Sequence, residues 1–101
     1  MDIKTGDIVR SLAGRDKDRF FYVISVSDGR VALADGIVRR IDNPKMKKPK
    51  HLLFVASPKT RLCEKLAAGE KVFDAEIRKS LRQLGFCEDA DGYGKAEDDR
   101  L

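Results

Sequence analysis

The sequence predicts a mainly β protein: a small antiparallel β-barrel over residues 1–56, a helical extension over 57–87 and an acidic tail over 88–101. Three observations lead there. Short β-branched and aromatic runs are separated by Asp-Gly pairs at 28–29 and 35–36. The apolar period changes from strand-like to helical after Ser57-Pro58. And 101 residues allow one modest core, burying roughly 60–68% of the unfolded surface.

The elements follow in order. Ile8 and Val9, after Gly6-Asp7, read as a first strand, and the polar stretch 14–19 as a loop. Phe20 to Val26 is the strongest strand signal in the chain. Ser27-Asp28-Gly29-Arg30 is a hairpin turn, because a type I′ turn needs positive φ at both central residues. Val31 to Ala34 is the return strand. Asp35-Gly36 repeats the turn chemistry, and Ile37, Val38 and Ile41 read as a short strand containing Arg39 and Arg40. Asn43-Pro44 opens a basic loop running to Pro49-Lys50, and His51 to Val55 is the fifth strand. Five short strands in about 55 residues favour a closed barrel, which removes exposed edges.

Beyond residue 56, Ser57 is a candidate cap with Pro58 at the first helical position. Leu62, Cys63, Leu66 and Ala67 form one apolar face, and Gly69 ends that helix. Asp74 is a candidate cap for a second helix with the stripe Ile77, Leu81 and Leu84, ended by Gly85. Its outward face is basic: Arg78, Lys79 and Arg82. From Glu88 onward the chain is acidic with few apolar anchors and is expected to be disordered.

Charge is unevenly placed. Charged residues make up 38% of the chain, against about 25% in an average domain. The net +4 divides into +7 for residues 1–61 (14 Lys and Arg, 7 Asp and Glu) and −3 for 62–101 (7 and 10). This asymmetry points to a polyanion-binding face with an acidic appendage.

Several functions are disfavoured. One His and two Cys that are 24 positions apart do not make a zinc site. The glycines are isolated turn glycines, without a phosphate-binding fingerprint. Cys63 on an apolar helix face reads as core rather than as a reactive thiol. His51, beside lysines, reads as a strand-end or phosphate-touching residue rather than a base. No constellation supports catalysis, so the expectation is a non-enzyme with no cofactor, no metal and no small-molecule substrate. The apolar run Phe20–Val26 is too short to span a membrane. The N-terminus has no signal-peptide pattern, so a cytoplasmic protein with reduced thiols is expected.

Gly6-Asp7-Ile8-Val9-Arg10-Ser11, Ala13-Gly14-Arg15-Asp16-Lys17 and the Tyr22-Val23-Ile24 strand resemble a KOW motif. Ala34-Asp35-Gly36, Arg39-Arg40, Asn43-Pro44-Lys45, Lys47-Lys48 and Lys50-His51-Leu52 resemble bacterial stand-alone KOW proteins. These are similar to a KOW-containing large-subunit ribosomal protein family of archaea and eukaryotes. The resemblance covers roughly residues 4–55; the helical part, including Asp74-Ala75-Glu76-Ile77-Arg78, is compatible with it. It implies an SH3-like barrel that binds RNA, with rRNA and the ribosome as partners in translation. By position it implies a KOW loop from Gly14 to Arg19, with RNA contacts from Arg15, Lys17, Arg19, Arg39, Arg40, Lys45, Lys47, Lys48 and Lys50, beside His51. One departure is Asp18, which stands where the family's loop usually has a second glycine. Its carboxylate would repel phosphate and shifts weight to the basic loop after Asn43-Pro44.

Phe20, Phe21 and Tyr22 are expected in the core rather than stacked on bases. Two other readings remain open at this stage. SH3-like barrels also serve as protein-interaction modules, with an acidic tail that could compete for the basic loop. KOW domains also occur in transcription elongation factors.

Overall fold

The computed structural model describes residues 2–86; Cys87 and the acidic tail lie outside the described residues. The fold is mainly β, a five-stranded antiparallel sheet with two helices. The strands are β1 (Ile8–Ser11), β2 (Phe20–Ser27), β3 (Arg30–Ala34), β4 (Lys45–Lys47) and β5 (Leu52–Ala56), and the helices are α1 (Arg61–Ala67) and α2 (Asp74–Gln83). A one-turn 3₁₀ helix, Pro49–His51, leads into β5. The sheet order is β4-β3-β2-β1-β5.

The sheet is not closed. β4 and β5 are its edges, and no ladder joins them. β4 is only three residues long and lies between Pro44 and Pro49, neither of which can donate to a ladder. The sheet nevertheless curls. Leu52 of β5 shares a buried cluster with Val31 and Leu33 of β3, although two strands separate them in the sheet. Register shifts between Ile8 and Val9 on the β5 side, and between Val23 and Ser25 on the β3 side, supply the bend.

Alternation sorts the strand residues into two cores. Val9, Phe21 and Val23 point to the concave face with Val31, Leu33 and Leu52. Ile8 and Tyr22 point the other way and are covered by Leu62, Leu66, Val72, Ile77 and Leu81 from the helical part. Tyr22 is fully buried, and its hydroxyl meets the Ser80 hydroxyl at 2.6 Å, joining β2 to α2. Burial pushes the Tyr22 pKa up, against the opposing Ser80 hydrogen bond. Phe20 packs on Phe86, with ring centroids 5.0 Å apart. The three aromatics of β2 are therefore core residues.

The β2–β3 hairpin has positive φ at both Asp28 (50°) and Gly29 (74°), as a type I′ turn requires. Four other expectations are corrected. Residues 37–41 form no strand: Asp35 Oδ1 accepts the N–H groups of Ile37 (2.9 Å), Val38 (3.0 Å) and Arg39 (2.9 Å), and this wraps the chain into a loop. The stretch expected as a basic loop instead contributes β4, with Lys45 opposite Leu33 and Lys47 opposite Val31. The cap of α1 is Thr60, whose Oγ1 accepts from Cys63 N–H, while Ser57 donates to buried Asp7.

Asp74 does not cap α2. Its Oδ1 accepts from Ile41 N–H at 2.8 Å and its Oδ2 from Arg40 Nε at 3.3 Å, which ties the helix to the 35–41 loop. The helix start is held instead by Glu76, whose Oε1 accepts from Phe73 N–H at 2.8 Å. The other Glu76 oxygen meets Lys65 Nζ at 2.6 Å. The Lys65 bond first, and the Phe73 N–H second, hold this carboxyl below the usual glutamate range. Both helices end as expected, with Glu70 N–H donating to the Lys65 carbonyl and Phe86 N–H to the Leu81 carbonyl.

Gly36 sets how closely this loop meets α2. It has φ +78°, and a Cβ there would collide with the Asp74 carbonyl oxygen and sit 3.1 Å from Arg78 N. Gly36→Ala should lower stability by about 2–4 kcal/mol, from backbone strain plus overpacking. Gly29→Ala, in open space at a similar φ, should cost about 1 kcal/mol; urea unfolding of the two variants tests the contrast. Because the folded-state pKa of Glu76 is lowered, its contribution is present above the ordinary glutamate value and is lost as pH falls through the lowered one. Glu76→Gln should therefore reduce the urea midpoint at neutral pH, and the difference from wild type should shrink on acidification.

Candidate nucleic-acid interface

Pairing β4 to β3 aligns basic residues that are apart in sequence. Lys47 lies opposite Val31, which brings the β4 exit alongside Arg30. Pro49 then starts the 3₁₀ turn that carries Lys50 and His51. On the far side, Leu12 N–H donates to the His51 carbonyl at 2.9 Å, and Lys47 Nζ donates to the Ala13 carbonyl at 2.6 Å. These two bonds hold the β1–β2 loop against the β4–β5 connection.

Between them lies an open groove of about 400 Å³, lined by Ala13, Gly14 and Met46 together with Arg30, Lys45, Lys47, Lys48, Lys50 and His51. Five cations and a histidine face it, with no carboxylate in its lining. Lys48, Lys50 and Arg30 are exposed, and their side chains make no ion pair or hydrogen bond among the described residues. Lys47 is partly engaged, because it clasps the Ala13 carbonyl over Gly14. The groove can attract an extended polyanion by charge and offers several ammonium groups to successive acceptors.

The structure divides the sequence-predicted residues into three sets. Lys45, Lys47, Lys48, Lys50 and His51 come together in the groove. Arg15 and Lys17 are exposed on the 12–19 loop. The other arginines are drawn into structural pairs. Arg39 NH2 lies 3.1 Å from Asp16 Oδ2 and Arg19 NH2 lies 3.2 Å from Asp35 Oδ2, with both carboxylates buried. These crossed pairs bind the 12–19 loop to the 35–41 loop. Arg40, more exposed, pairs with Asp74. Arg78, expected on an outward basic face, is half-buried and donates to the Gly36 carbonyl at 3.1 Å.

Asp18 has φ 71°, so it adopts the left-handed conformation that a glycine would take. Its carboxylate lies 2.7 Å from Arg10 NH2. Arg30 was missed at the level of sequence. Its only signal is its place after Asp28-Gly29, and it joins the groove through the β3–β4 register, which the sequence did not reveal. Cys63 is half-buried, and its thiol donates to the Gly6 carbonyl at 3.2 Å. Among the described residues no group of metal-ligating side chains assembles, and no helix is long and apolar enough to cross a membrane. No family model matches the chain, and comparison with curated proteins finds no match.

The paired and the groove cations should separate by experiment. Arg39→Ala leaves the buried Asp16 carboxylate without its partner, and should cost about 2–4 kcal/mol in urea unfolding. Lys50→Ala, at an exposed site, should stay within about 0.5 kcal/mol of wild type.

Proposed function

We propose that the protein is a non-catalytic RNA-binding domain of KOW type that acts in translation, on structured RNA of the large ribosomal subunit. The observation that carries this reading is the carboxylate-free groove lined by Arg30, Lys45, Lys47, Lys48, Lys50 and His51. The KOW-like residues over roughly 4–55 support the same reading, since Gly14 and the basic stretch 45–51 are the parts that meet at the groove.

The fold is in keeping with an SH3-like half-open barrel. In the order β4-β3-β2-β1-β5, β1 is shared between β2 and β5; the sheet curls over one core, and a single 3₁₀ turn precedes the last strand. Such a barrel presents its loops at a rim, and here the rim is basic.

Binding would proceed by phosphate contact. Lysines and Arg30 in the groove displace condensed counterions from the RNA backbone, which supplies affinity without base choice. The deep major groove of A-form RNA excludes side chains, so shape and phosphate spacing are what a rim of this size can read. Lys47 and the Leu12–His51 backbone bond hold the two walls in place, which reduces the ordering cost on binding.

About five phosphate contacts should give a log–log salt slope of roughly −3.5 to −4.5. The variant Lys45→Glu/Lys48→Glu/Lys50→Glu, which spares the Lys47 clasp, should lose ribosome co-sedimentation and bind an RNA hairpin at least tenfold more weakly. Unchanged binding by a folded triple variant would contradict the proposal.

A further inference from the structure

A second basic site lies at the other end of β3, where the 35–41 loop meets α2. Gly36, Ile37, Arg40, Asp74, Arg78 and Arg82 line an open cleft of about 460 Å³. Three guanidinium groups share it with one carboxylate.

Its construction follows from Gly36. Without a Cβ, the loop backbone can sit directly on the first turn of α2. That contact places Arg40 beside Asp74 and lets Arg78 donate through NH1 to the Gly36 carbonyl. Two arginines are thus held by the protein through one nitrogen each: Arg40 through Nε and Arg78 through NH1. The Arg82 side chain, one turn beyond Arg78 on α2, has no hydrogen bond or ion pair among the described residues. The cleft therefore holds a surplus of two positive charges and several uncommitted N–H donors. Arginine presents its donors as a planar fork that matches the oxygens of phosphate. Asp74 already supplies the cleft's carboxylate, and a tetrahedral phosphate has enough oxygens to meet donors from three side chains.

Position relates this cleft to the groove. Arg30 begins β3 at the groove, and Gly36 lies just past its other end. At about 3.3 Å per residue, the two sites are on the order of 15–20 Å apart. A few nucleotides of one strand would bridge them.

We propose that the Arg40–Arg78–Arg82 cleft takes a backbone phosphate of the same RNA that occupies the groove, so that the domain grips its ligand at two separated points. This rests on the RNA reading of the groove. The test compares Arg82→Ala, Arg78→Ala/Arg82→Ala and the groove triple variant Lys45→Glu/Lys48→Glu/Lys50→Glu with wild type, using a structured RNA hairpin between roughly 50 and 200 mM salt. Arg82→Ala should leave the unfolding midpoint unchanged, weaken binding about three- to tenfold and reduce the salt slope by about 0.7–0.9. The double variant should reduce the slope by about twice that amount. If Arg82→Ala binds like wild type while the groove variant fails, the cleft proposal falls and the groove reading stands. If the groove variant also binds like wild type, both fall. In a parallel titration, inorganic phosphate is followed through the Nε–H resonances of Arg40, Arg78 and Arg82. Saturation below millimolar phosphate, with an unchanged RNA slope in Arg82→Ala, would make the cleft a small-anion site and overturn the proposal.

Discussion

The buried carboxylate of Asp35 governs the part of the fold that holds both basic sites. One of its oxygens accepts three successive backbone N–H groups, from Ile37, Val38 and Arg39. The other meets Arg19. A buried carboxylate persists only when hydrogen bonds and charge replace the water it has lost, and here both are present. The loop so formed delivers Arg39 to the buried Asp16, delivers Gly36 and Ile41 to α2, and then releases the chain into β4. The groove and the arginine cleft lie at opposite ends of β3, and both depend on where this loop sets the chain.

The same arrangement divides the cations between structure and surface. Arg19 and Arg39 neutralise carboxylates that would be unstable alone in the interior, and removing either would strand a buried charge. Lys48, Lys50 and Arg30 have no such duty. Asp18 shows a further use of charge. It takes the left-handed conformation its position needs and turns its carboxylate to Arg10. The feature that seemed to weaken the loop as a phosphate clamp is thereby partly offset, and the groove lies on the other side of the loop, beside Ala13 and Gly14.

Much of the fold was legible in the sequence because it is local. The Asp28-Gly29 turn, the β2 run and the glycine stops after both helices each rest on a preference that a few residues express by themselves. The errors arose where a side chain or a distant strand claims backbone or side-chain groups that the apolar period does not register. Ile37, Val38 and Ile41 look like a strand, but Asp35 accepts the N–H groups of Ile37 and Val38 and Asp74 accepts that of Ile41, which bends them into a loop. Lys45 to Lys47 look like loop, yet the ladder with β3 makes them a strand. Asp74 looks like a cap, but Ile41 and Arg40 claim its oxygens. Of the candidate site, the cluster 45–51 was visible as charge density. Arg30 was not, because it enters through strand register, and the engagement of Arg19 and Arg39 was hidden because their partners lie 16 and 23 residues away.

The central claim is that RNA lies in the groove between the β4–β5 connection and the β1–β2 loop. Ultraviolet crosslinking of the full chain to RNA in cells, with the attachment sites located by mass spectrometry and the RNA sequenced, tests it most directly. The expected result is crosslinks on peptides containing residues 13–14, 30 and 45–51, joined to large-subunit ribosomal RNA. Crosslinks confined to α1 and the outer face of β5, or no attached RNA, would contradict it.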